Sequence, residues 1–309
     1  MNHFINFKDF SPDYLEGIID QALAIKHHPA QYATALDGKI MYMLFQKTST
    51  RTALSFALGI KALGGGYLIQ NWEDSNFAVG EIQDEARYVS SQVSIIMARL
   101  KTNADINLLA KYSTVSVING CCNMFHPSQA IADLATIKEL FGSLKIKLLY
   151  IGVRNNVLNS LMDSLPRLGG ELYAAAPVIN EPSIDTELYA AALQTGRFQD
   201  IGGGKPTIAN IKKLIKDVDV VYTDTWIDME FTNDPACAGL KEERIKKMLP
   251  FQINNELLKG SMALVLHDMP IHAGYEISRE TVEANIKNIL QQADNRKYAA
   301  QSILLSLLK

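Results

Sequence analysis

The stretch KIMYMLFQKTSTRTALSFALGIKALGG, residues 39–65, contains the repeating unit on which the fold is built. A mostly apolar run at 39–45 is followed by four hydroxyl residues and an arginine, and then by a helical pattern. This order predicts a buried strand, a loop and an α-helix that begins near residue 50. Helix-start N–H groups, hydroxyl donors and Arg51 together suit the oxygens of a phosphate. The same residues also suit a capping cluster with a surface arginine, and this stretch alone leaves both interpretations open.

Strands and helices alternate through the rest of the first half, as expected for α/β layering. The pattern predicts strands at 65–70, 93–99 and 115–119, and helices at 11–28, 80–92, 103–112 and 127–141.

The pattern restarts at KIKLLYIGV, residues 145–153, which reads as a buried strand. It continues with predicted helices at 156–168, 186–195 and 206–216, and predicted strands at 171–177, 218–224 and 262–269. From about 280 we expect a helix, a short IKNIL run and a helix at 295–308 that packs back on the first domain. The sequence therefore predicts two doubly wound parallel-sheet domains. We place the first at 1–138 with the C-terminal helix of about 295–309, and the second at 139–294.

Composition excludes several classes of function. The chain has 309 residues, of which 48% are hydrophobic and 20% are charged, and its formal net charge is −3. Such a balance is typical of a soluble globular protein and does not favour nucleic acid or a membrane as partner. The N-terminus lacks the apolar segment of a signal peptide, and three cysteines without metal-type spacing suit a reducing, cytoplasmic compartment.

Two further features carry chemistry. HPSQAIADLAT, residues 126–136, places His126 just before a predicted helix and Gln129 in its first turn. A loop histidine beside a helix cap explains this motif equally well when it is considered alone. Arg99 ends an apolar strand, where its charge needs a partner.

Taken together, these segments resemble the aspartate/ornithine carbamoyltransferase family along nearly the whole chain. The residues that carry the resemblance are Ser49 to Thr52, Arg99, His126 to Gln129, Asp224, His267 to Pro270 and Asp294 to Arg296. Lys47-Thr48, the Asn155-Asn156 pair and the DTWxxM motif are more similar to the ornithine branch. The resemblance implies an active site in the cleft between the two domains. It also implies a homotrimer.

The resemblance also implies roles for the residues of the first domain, which would bind carbamoyl phosphate. Ser49, Thr50, Arg51 and Thr52 would hold the phosphate, with Arg296 as a further cation. Arg99, Thr52 and His126 would surround the carbonyl oxygen, where negative charge develops, and Gln129 would hold the carbamoyl NH2 group. This chemistry works by positioning and electrostatics, so we expect neither a metal nor another cofactor.

The second domain would bind the amine acceptor, and here the sequence departs from the ornithine branch. Residues that match Asn156, Asp224, Asp228 and Met229 grip the amino acid in that branch, and His267 and Met269 belong to its acceptor-side motif. Position 228 usually carries serine there, and position 268 carries a cysteine that contacts the carbamoyl group and the attacking amine. In this chain both positions are aspartate. Asp268 could accept an N–H of the amine and a proton.

Three functions fit these departures. The first is a carbamoyltransferase acting on ornithine, with Asp228 turned to solvent. The second is a carbamoyltransferase for a cation-ended amine such as a diamine, clasped by Asp224 and Asp228. The third is a non-catalytic homologue that binds carbamoyl phosphate. The intact set of phosphate-binding residues favours an enzyme of arginine metabolism that makes citrulline or an analogue.

Overall fold

The computed structural model describes residues 2–227 and 238–309. Its contacts divide the chain into two compact units. Unit 1 comprises Met1–Glu139 and Asp294–Lys309, and unit 2 comprises Leu140–Ala293.

Unit 1 contains a four-stranded parallel sheet in the order β2-β1-β3-β4. Its strands are β1 (Ile40–Phe45), β2 (Gly66–Asn71), β3 (Ile95–Arg99) and β4 (Ser116–Asn119). Its helices are α1 (Pro12–His27), α2 (Thr50–Ala62), α3 (Ile82–Ser90), α4 (Asn103–Tyr112) and α5 (Pro127–Phe141), the last of which extends two residues past the unit's end. Every residue of β3 and β4 is buried, which is why these strands consist mostly of apolar or small residues, with Arg99 and Asn119 at their carboxyl ends.

Unit 2 contains a five-stranded parallel sheet in the order β7-β6-β5-β8-β9. Its strands are β5 (Lys147–Arg154), β6 (Glu171–Ile179), β7 (Phe198–Asp200), β8 (Val220–Thr223) and β9 (Leu264–His267). Its helices are α6 (Asn156–Ser164), α7 (Thr186–Gln194), α8 (Ile208–Leu214) and α9 (Ala238–Met248). Short 3-10 turns in the two units cover Pro29–Tyr32, Trp72–Asp74, Asn76–Ala78, Leu165–Leu168, Glu181–Ser183 and Leu249–Phe251.

The final helix, α10 (Arg279–Leu308), ends in unit 1, where buried polar contacts hold it. The Asn295 amide nitrogen donates to Thr136 Oγ1 at 2.8 Å, and its oxygen accepts from Lys26 Nζ at 2.8 Å. Ser302 Oγ donates to the carbonyl oxygen of Ile18 at 2.6 Å. These side chains reach backbone and polar groups of α1 and α5, so the last turns of the chain belong to the unit 1 core.

The predicted fold class is confirmed: both sheets are parallel and helices alternate with their strands. Several element predictions were wrong. The segment after 280 is one helix rather than two with an interruption, because no glycine or proline breaks residues 279–308. The predicted helix 156–168 ends at Ser164 and continues as a 3-10 turn around Pro166, since proline cannot supply the helical N–H.

Two elements escaped prediction. Strand β7 has only three residues, too few to show a period, and α9 is so rich in charge that it lacks an apolar stripe. Among the described residues, no helix is both long enough and apolar enough to cross a membrane.

Candidate active site

The first group of polar residues, called the unit 1 site below, lies where the connections of the unit 1 sheet diverge. The chain leaves β1 toward β2 on one side and leaves β3 toward β4 on the other. Ligands of open parallel sheets bind at the carboxyl ends of the strands at such a point. Phe45 and Arg99, the last residues of β1 and β3, pair with each other, so the loop after β1 begins beside Arg99.

That loop leads into α2 through a side-chain cap. Ser49 is extended, and its Oγ accepts a hydrogen bond from the backbone N–H of Thr52 at 3.2 Å. Thr50 and the half-buried Arg51 follow in the first turn. Backbone N–H groups in a first helical turn have no partners within the helix, and the helix dipole adds positive potential there. The start of α2 therefore favours an anion.

Thr52 joins two guanidinium groups that are distant in sequence. Its Oγ1 accepts from Arg99 Nη1 at 3.4 Å and from Arg296 Nη2 at 3.1 Å, and all three side chains are buried. Gly120, which follows β4, makes room for this contact. A Cβ there would lie 2.5 Å from the Met97 sulfur and 3.3 Å from the Thr52 methyl group. Within the described part of the chain, Arg99 Nε is buried and has no hydrogen-bond partner.

His126, directly before α5, is a neutral member of this positive cluster. Burial lowers its pKa well below the ordinary value of 6.5, and the charges of Arg296, Arg99, Arg51 and Lys47 lower it further. Its Nδ1 lies 3.4 Å from Ser128 Oγ. A neutral imidazole offers one N–H donor and one acceptor without adding charge, and it resists protonation at pH 7.

Gln129, one turn along α5 from His126, presents an acceptor. Its Nε2 donates to Asp133 Oδ1 at 2.7 Å, while its Oε1 is buried and has no hydrogen-bond partner among the described residues. The unit 1 site therefore combines several cations with one unsatisfied buried donor, on Arg99, and one unsatisfied buried acceptor, on Gln129. Such groups are rare in folded proteins, and a ligand that bonds to both would satisfy them.

The second group, called the unit 2 site below, lies at the corresponding point of the other sheet, between β5 and β8. Asn155 follows β5 and caps α6, because its Oδ1 accepts from the N–H groups of Val157 and Leu158. Its Nδ2 donates to Asp224 Oδ2 at 2.6 Å, and Asp224 Oδ1 accepts from the Thr225 N–H at 2.6 Å. Two hydrogen bonds thus fix the buried Asp224 carboxylate at the end of β8.

The loop after β9 completes the unit 2 site. Thr223 pairs with His267, so Asp224 and Asp268 are the next residues on adjacent strands. The fully buried His267 accepts the Met269 N–H at Nδ1, 2.9 Å away, and its Nε2 lies 3.1 Å from Glu276 Oε1. This network assigns the neutral tautomer with hydrogen on Nε2. Both ring nitrogens of His267 are therefore engaged in holding the turn that carries Asp268.

The predicted residues form two groups. The unit 1 site holds Ser49, Thr50, Arg51, Thr52, Arg99, His126, Gln129 and Arg296. The unit 2 site holds Asn156, Asp224, His267, Asp268 and Met269. Asp228 and Met229 lie outside the described residues. All of the predicted roles in binding and catalysis stay predictions at this point.

Several residues that shape the two sites were missed. Asn155 was quoted only as part of the Asn-Asn pair, although its side chain bonds to Asp224. Asp133 lies four residues after Gln129, a helical spacing that would have indicated contact. Glu276 gave no signal, since it reaches His267 through an irregular loop that has no period.

The fold and the two sites define a two-unit α/β protein with a cationic site at the divergence point of one parallel sheet and a carboxylate-rich site at that of the other. Residues 2–139 match the sequence model of the aspartate/ornithine carbamoyltransferase carbamoyl-P binding domain, and residues 144–307 match that of the Asp/Orn binding domain. The chain belongs to the aspartate/ornithine carbamoyltransferase family, which confirms the predicted resemblance.

Individual relatives cover the whole chain. An ornithine carbamoyltransferase of Moritella profunda is 36% identical over 100% of both chains, and one of Pyrococcus horikoshii is 36% identical over 97% of this chain and 94% of its own. Among solved structures, the anabolic ornithine carbamoyltransferase of Campylobacter jejuni superposes with a TM-score of 0.88 at 31% identity, covering 99% of each chain. The ornithine carbamoyltransferase of Pyrococcus furiosus superposes with a TM-score of 0.87 at 34% identity, and the match covers 99% of this chain and 96% of that one.

The lowered pKa of His126 makes stability depend on pH. Below about pH 6.5 the unfolded chain takes up a proton at this residue that the native protein does not, so we expect the free energy of unfolding to fall as the pH falls. The reference is His126→Gln, which cannot titrate. The stability of the wild type relative to this variant should decrease by up to about 1.4 kcal/mol per pH unit, measured by urea denaturation from about pH 7.5 to about pH 5. A difference that stays constant over this range would contradict the assignment of a neutral His126.

Proposed function

We propose that this chain is an ornithine carbamoyltransferase, which moves the carbamoyl group of carbamoyl phosphate to the side-chain amine of ornithine and forms citrulline and phosphate. The observation that carries the proposal is the unit 1 site. A carbamoyl group has a carbonyl oxygen to accept from Arg99 Nε and an NH2 group to donate to Gln129 Oε1. These are the two buried side-chain atoms of the unit 1 site that lack a hydrogen-bond partner in the described part of the chain. The phosphate provides the negative charge that the surrounding cations require.

Each residue of the unit 1 site has a place in this reaction. Ser49, Thr50, Arg51 and the N–H groups at the start of α2 hold the phosphate, and Arg296 adds a cation to it. The amine attacks the carbonyl carbon, and a tetrahedral intermediate forms with negative charge on the former carbonyl oxygen. Arg99, Thr52 and the neutral His126 donate to that oxygen. Each such donor is worth about 3–4 kcal/mol in the transition state.

The intermediate then collapses. The bond between the carbonyl carbon and the phosphate oxygen breaks, phosphate leaves with the electron pair, and the attacking nitrogen loses a proton. We propose that Asp268, at the end of β9, accepts an N–H of the amine and takes this proton. Asp224 and Asn156 bind the amino-acid end of the acceptor. Of the two residues outside the described part of the chain, Met229 would add to it as its counterpart does in the ornithine branch. Asp228, where that branch usually has serine, would turn to solvent. No step requires a metal or another cofactor.

A second acceptor is favoured by one observation. Asp224 and Asp268 are 4% and 7% exposed, and each directly follows one of two paired residues at the ends of β8 and β9. Two buried acidic residues therefore stand at neighbouring strand ends. Negative charge in a poorly solvated place stabilises a cation strongly. A diamine, which carries no carboxylate of its own, is therefore the second candidate acceptor.

We extend the proposal to assembly and place in the cell. An apolar surface on unit 1, formed by Leu54 and Leu58 of α2 and Tyr67, Leu68 and Ile69 of the edge strand β2, is largely exposed, with Leu68 at 58%. Contiguous apolar side chains on an edge strand favour association. We infer that this surface is the interface of a homotrimer. The free buried thiols Cys121 and Cys122 support a cytoplasmic enzyme of arginine metabolism.

The first prediction concerns activity. Purified protein should release phosphate and form citrulline from carbamoyl phosphate and ornithine, and Arg99→Met should lower kcat by about 100- to 1000-fold because one oxyanion donor is lost. Lys287→Ala, an exposed change on α10, is the control and should keep full activity. Binding of carbamoyl phosphate without turnover on any amine would support the non-catalytic homologue instead.

The second prediction concerns the acceptor. If Asp268 receives a cation-ended amine, Asp268→Cys should raise the ratio of ornithine to putrescine use by about tenfold or more, which corresponds to about 1.4 kcal/mol. The matched control is Asp200→Asn, at the carboxyl end of the edge strand β7 in the same sheet, which should leave the ratio unchanged. The diamine would be excluded if the wild type used only ornithine and Asp268→Cys brought no change in the use of either amine.

The third prediction concerns assembly. The wild type should sediment as a trimer, and the double change Leu58→Asp with Leu68→Asp should shift it to monomer, because two charges would have to be buried in each apolar contact. Leu240→Asp, at a leucine on α9 that is 69% exposed, should leave the sedimentation coefficient unchanged. A wild-type monomer at micromolar concentration would refute the interface.

A further inference from the structure

Gln129 and Asp133 are facing side chains on one side of α5. They are four residues apart, and they are 1% and 0% exposed. Gln129 Nε2 donates to Asp133 Oδ1 at 2.7 Å. Gln129 also lies one turn after His126, whose carbonyl oxygen accepts the Gln129 backbone N–H at 3.1 Å, so both side chains start from the same side of the helix.

The aspartate determines which way the glutamine amide faces. A carboxylate accepts hydrogen bonds but cannot donate them, so only the NH2 end of the amide can face Asp133. The oxygen end must then point away from Asp133, and this Oε1 is the buried atom without a partner in the described chain. A partner that can both donate and accept, such as another amide, would lack this constraint, because the two ends of Gln129 could exchange at little cost.

We propose that Asp133 is a positioning residue that makes the unit 1 site select a carbamoyl group over an acyl group of the same shape. It does so by presenting Gln129 to the ligand as an acceptor only. This inference rests on the proposed function, since it names the chemical group that the donor half of the reaction selects. An NH2 group satisfies Oε1, whereas a methyl group in the same position leaves that buried oxygen unpaired.

Leaving a buried acceptor unpaired costs enough to discriminate between such ligands. We expect a preference of about 10- to 100-fold for the NH2-bearing ligand. The probes are two stable phosphonates that differ only at this group, phosphonoacetamide with NH2 and 2-oxopropylphosphonate with CH3. Isothermal titration calorimetry gives both dissociation constants without any turnover.

The test variant is Asp133→Asn. The new amide can donate as well as accept, so Gln129 can turn its NH2 end to the ligand. We expect the preference to fall below about threefold, chiefly through weaker binding of phosphonoacetamide, with binding of 2-oxopropylphosphonate changed by less than about twofold. A merely structural role for Asp133 would weaken both probes equally.

Two further variants, one that restores the pair and one that serves as a control, complete the experiment. The exchange Gln129→Glu with Asp133→Asn keeps one carboxylate and one amide in the pair, and it again presents only an acceptor to the ligand. This double variant should recover most of the wild-type preference, and it decides the matter if Asp133→Asn alone fails to fold. Asp163→Asn is the matched control, because Asp163 is also a buried aspartate bonded four residues along a helix, to Arg167 at 3.4 Å in unit 2. It should leave the preference unchanged.

The outcomes separate this inference from the proposed function. Equal wild-type affinity for the two probes, or an unchanged preference in Asp133→Asn, overturns the inference whatever the enzyme assays give. A strong preference that Asp133→Asn abolishes supports the inference even if the wild type transfers no carbamoyl group to any amine, a result that would overturn only the proposed function.

Discussion

One hydroxyl oxygen, Thr52 Oγ1, accepts hydrogen bonds from two guanidinium groups, and the geometry of the unit 1 site depends on it. Arg99 arrives from the end of β3, Arg296 from the last helix of the chain, and Thr52 from the first turn of α2. Two like charges repel each other in a buried place, so they stay together only where shared acceptors and an anion compensate them. The same contact helps to hold the last turns of the chain in unit 1, because it joins two residues that are 244 positions apart in sequence.

Several cations around one site would be of little use to an enzyme if its histidine were also charged. Burial and the neighbouring positive charges together keep His126 neutral, so its ring can bond to a ligand oxygen without adding to the repulsion. Gln129 also contributes hydrogen-bonding atoms to the site without adding charge, because its side-chain amide is neutral. Asp133 binds its nitrogen end, which leaves the oxygen end for a ligand. In the proposed function, the charge would bind the phosphate and the directed donors and acceptors would bind the amide. This combination would distinguish carbamoyl phosphate from simpler phosphates.

In the unit 2 site, neutral donors hold the buried Asp224 carboxylate, and a second carboxylate orients a histidine ring. Asn155 and the backbone of Thr225 fix Asp224, and Glu276 holds His267 in the tautomer that accepts the Met269 N–H. Met269 itself has a positive φ of 63°, an unfavourable conformation for a residue with a side chain, and its N–H bond to His267 contributes to holding it. The turn that carries Asp268 is therefore shaped by side chains that do not themselves need to touch a substrate.

Much of this could be derived from the order of residues. The alternation of apolar runs with helical patterns predicted two parallel sheets, because strands buried on both faces are mostly apolar. The hydroxyl-arginine segment before α2 left a phosphate site and a capping cluster both open. The strand β7 and the helix α9 were not predicted, because β7 is too short and α9 too charged to show a hydrophobic period. The site partners escaped for a different reason. Thr52 contacts Arg296, Asn155 bonds to Asp224, and Glu276 bonds to His267. Each of these contacts joins residues that are distant in sequence or lie in irregular loops. The local sequence pattern shows which residues are apolar and at what spacing they recur, and this spacing predicted most of the strands and helices and their order along the chain. Only the packed structure decided which polar atoms are satisfied and which are left for a ligand, because hydrogen bonding depends on distances and directions that arise when the elements come together.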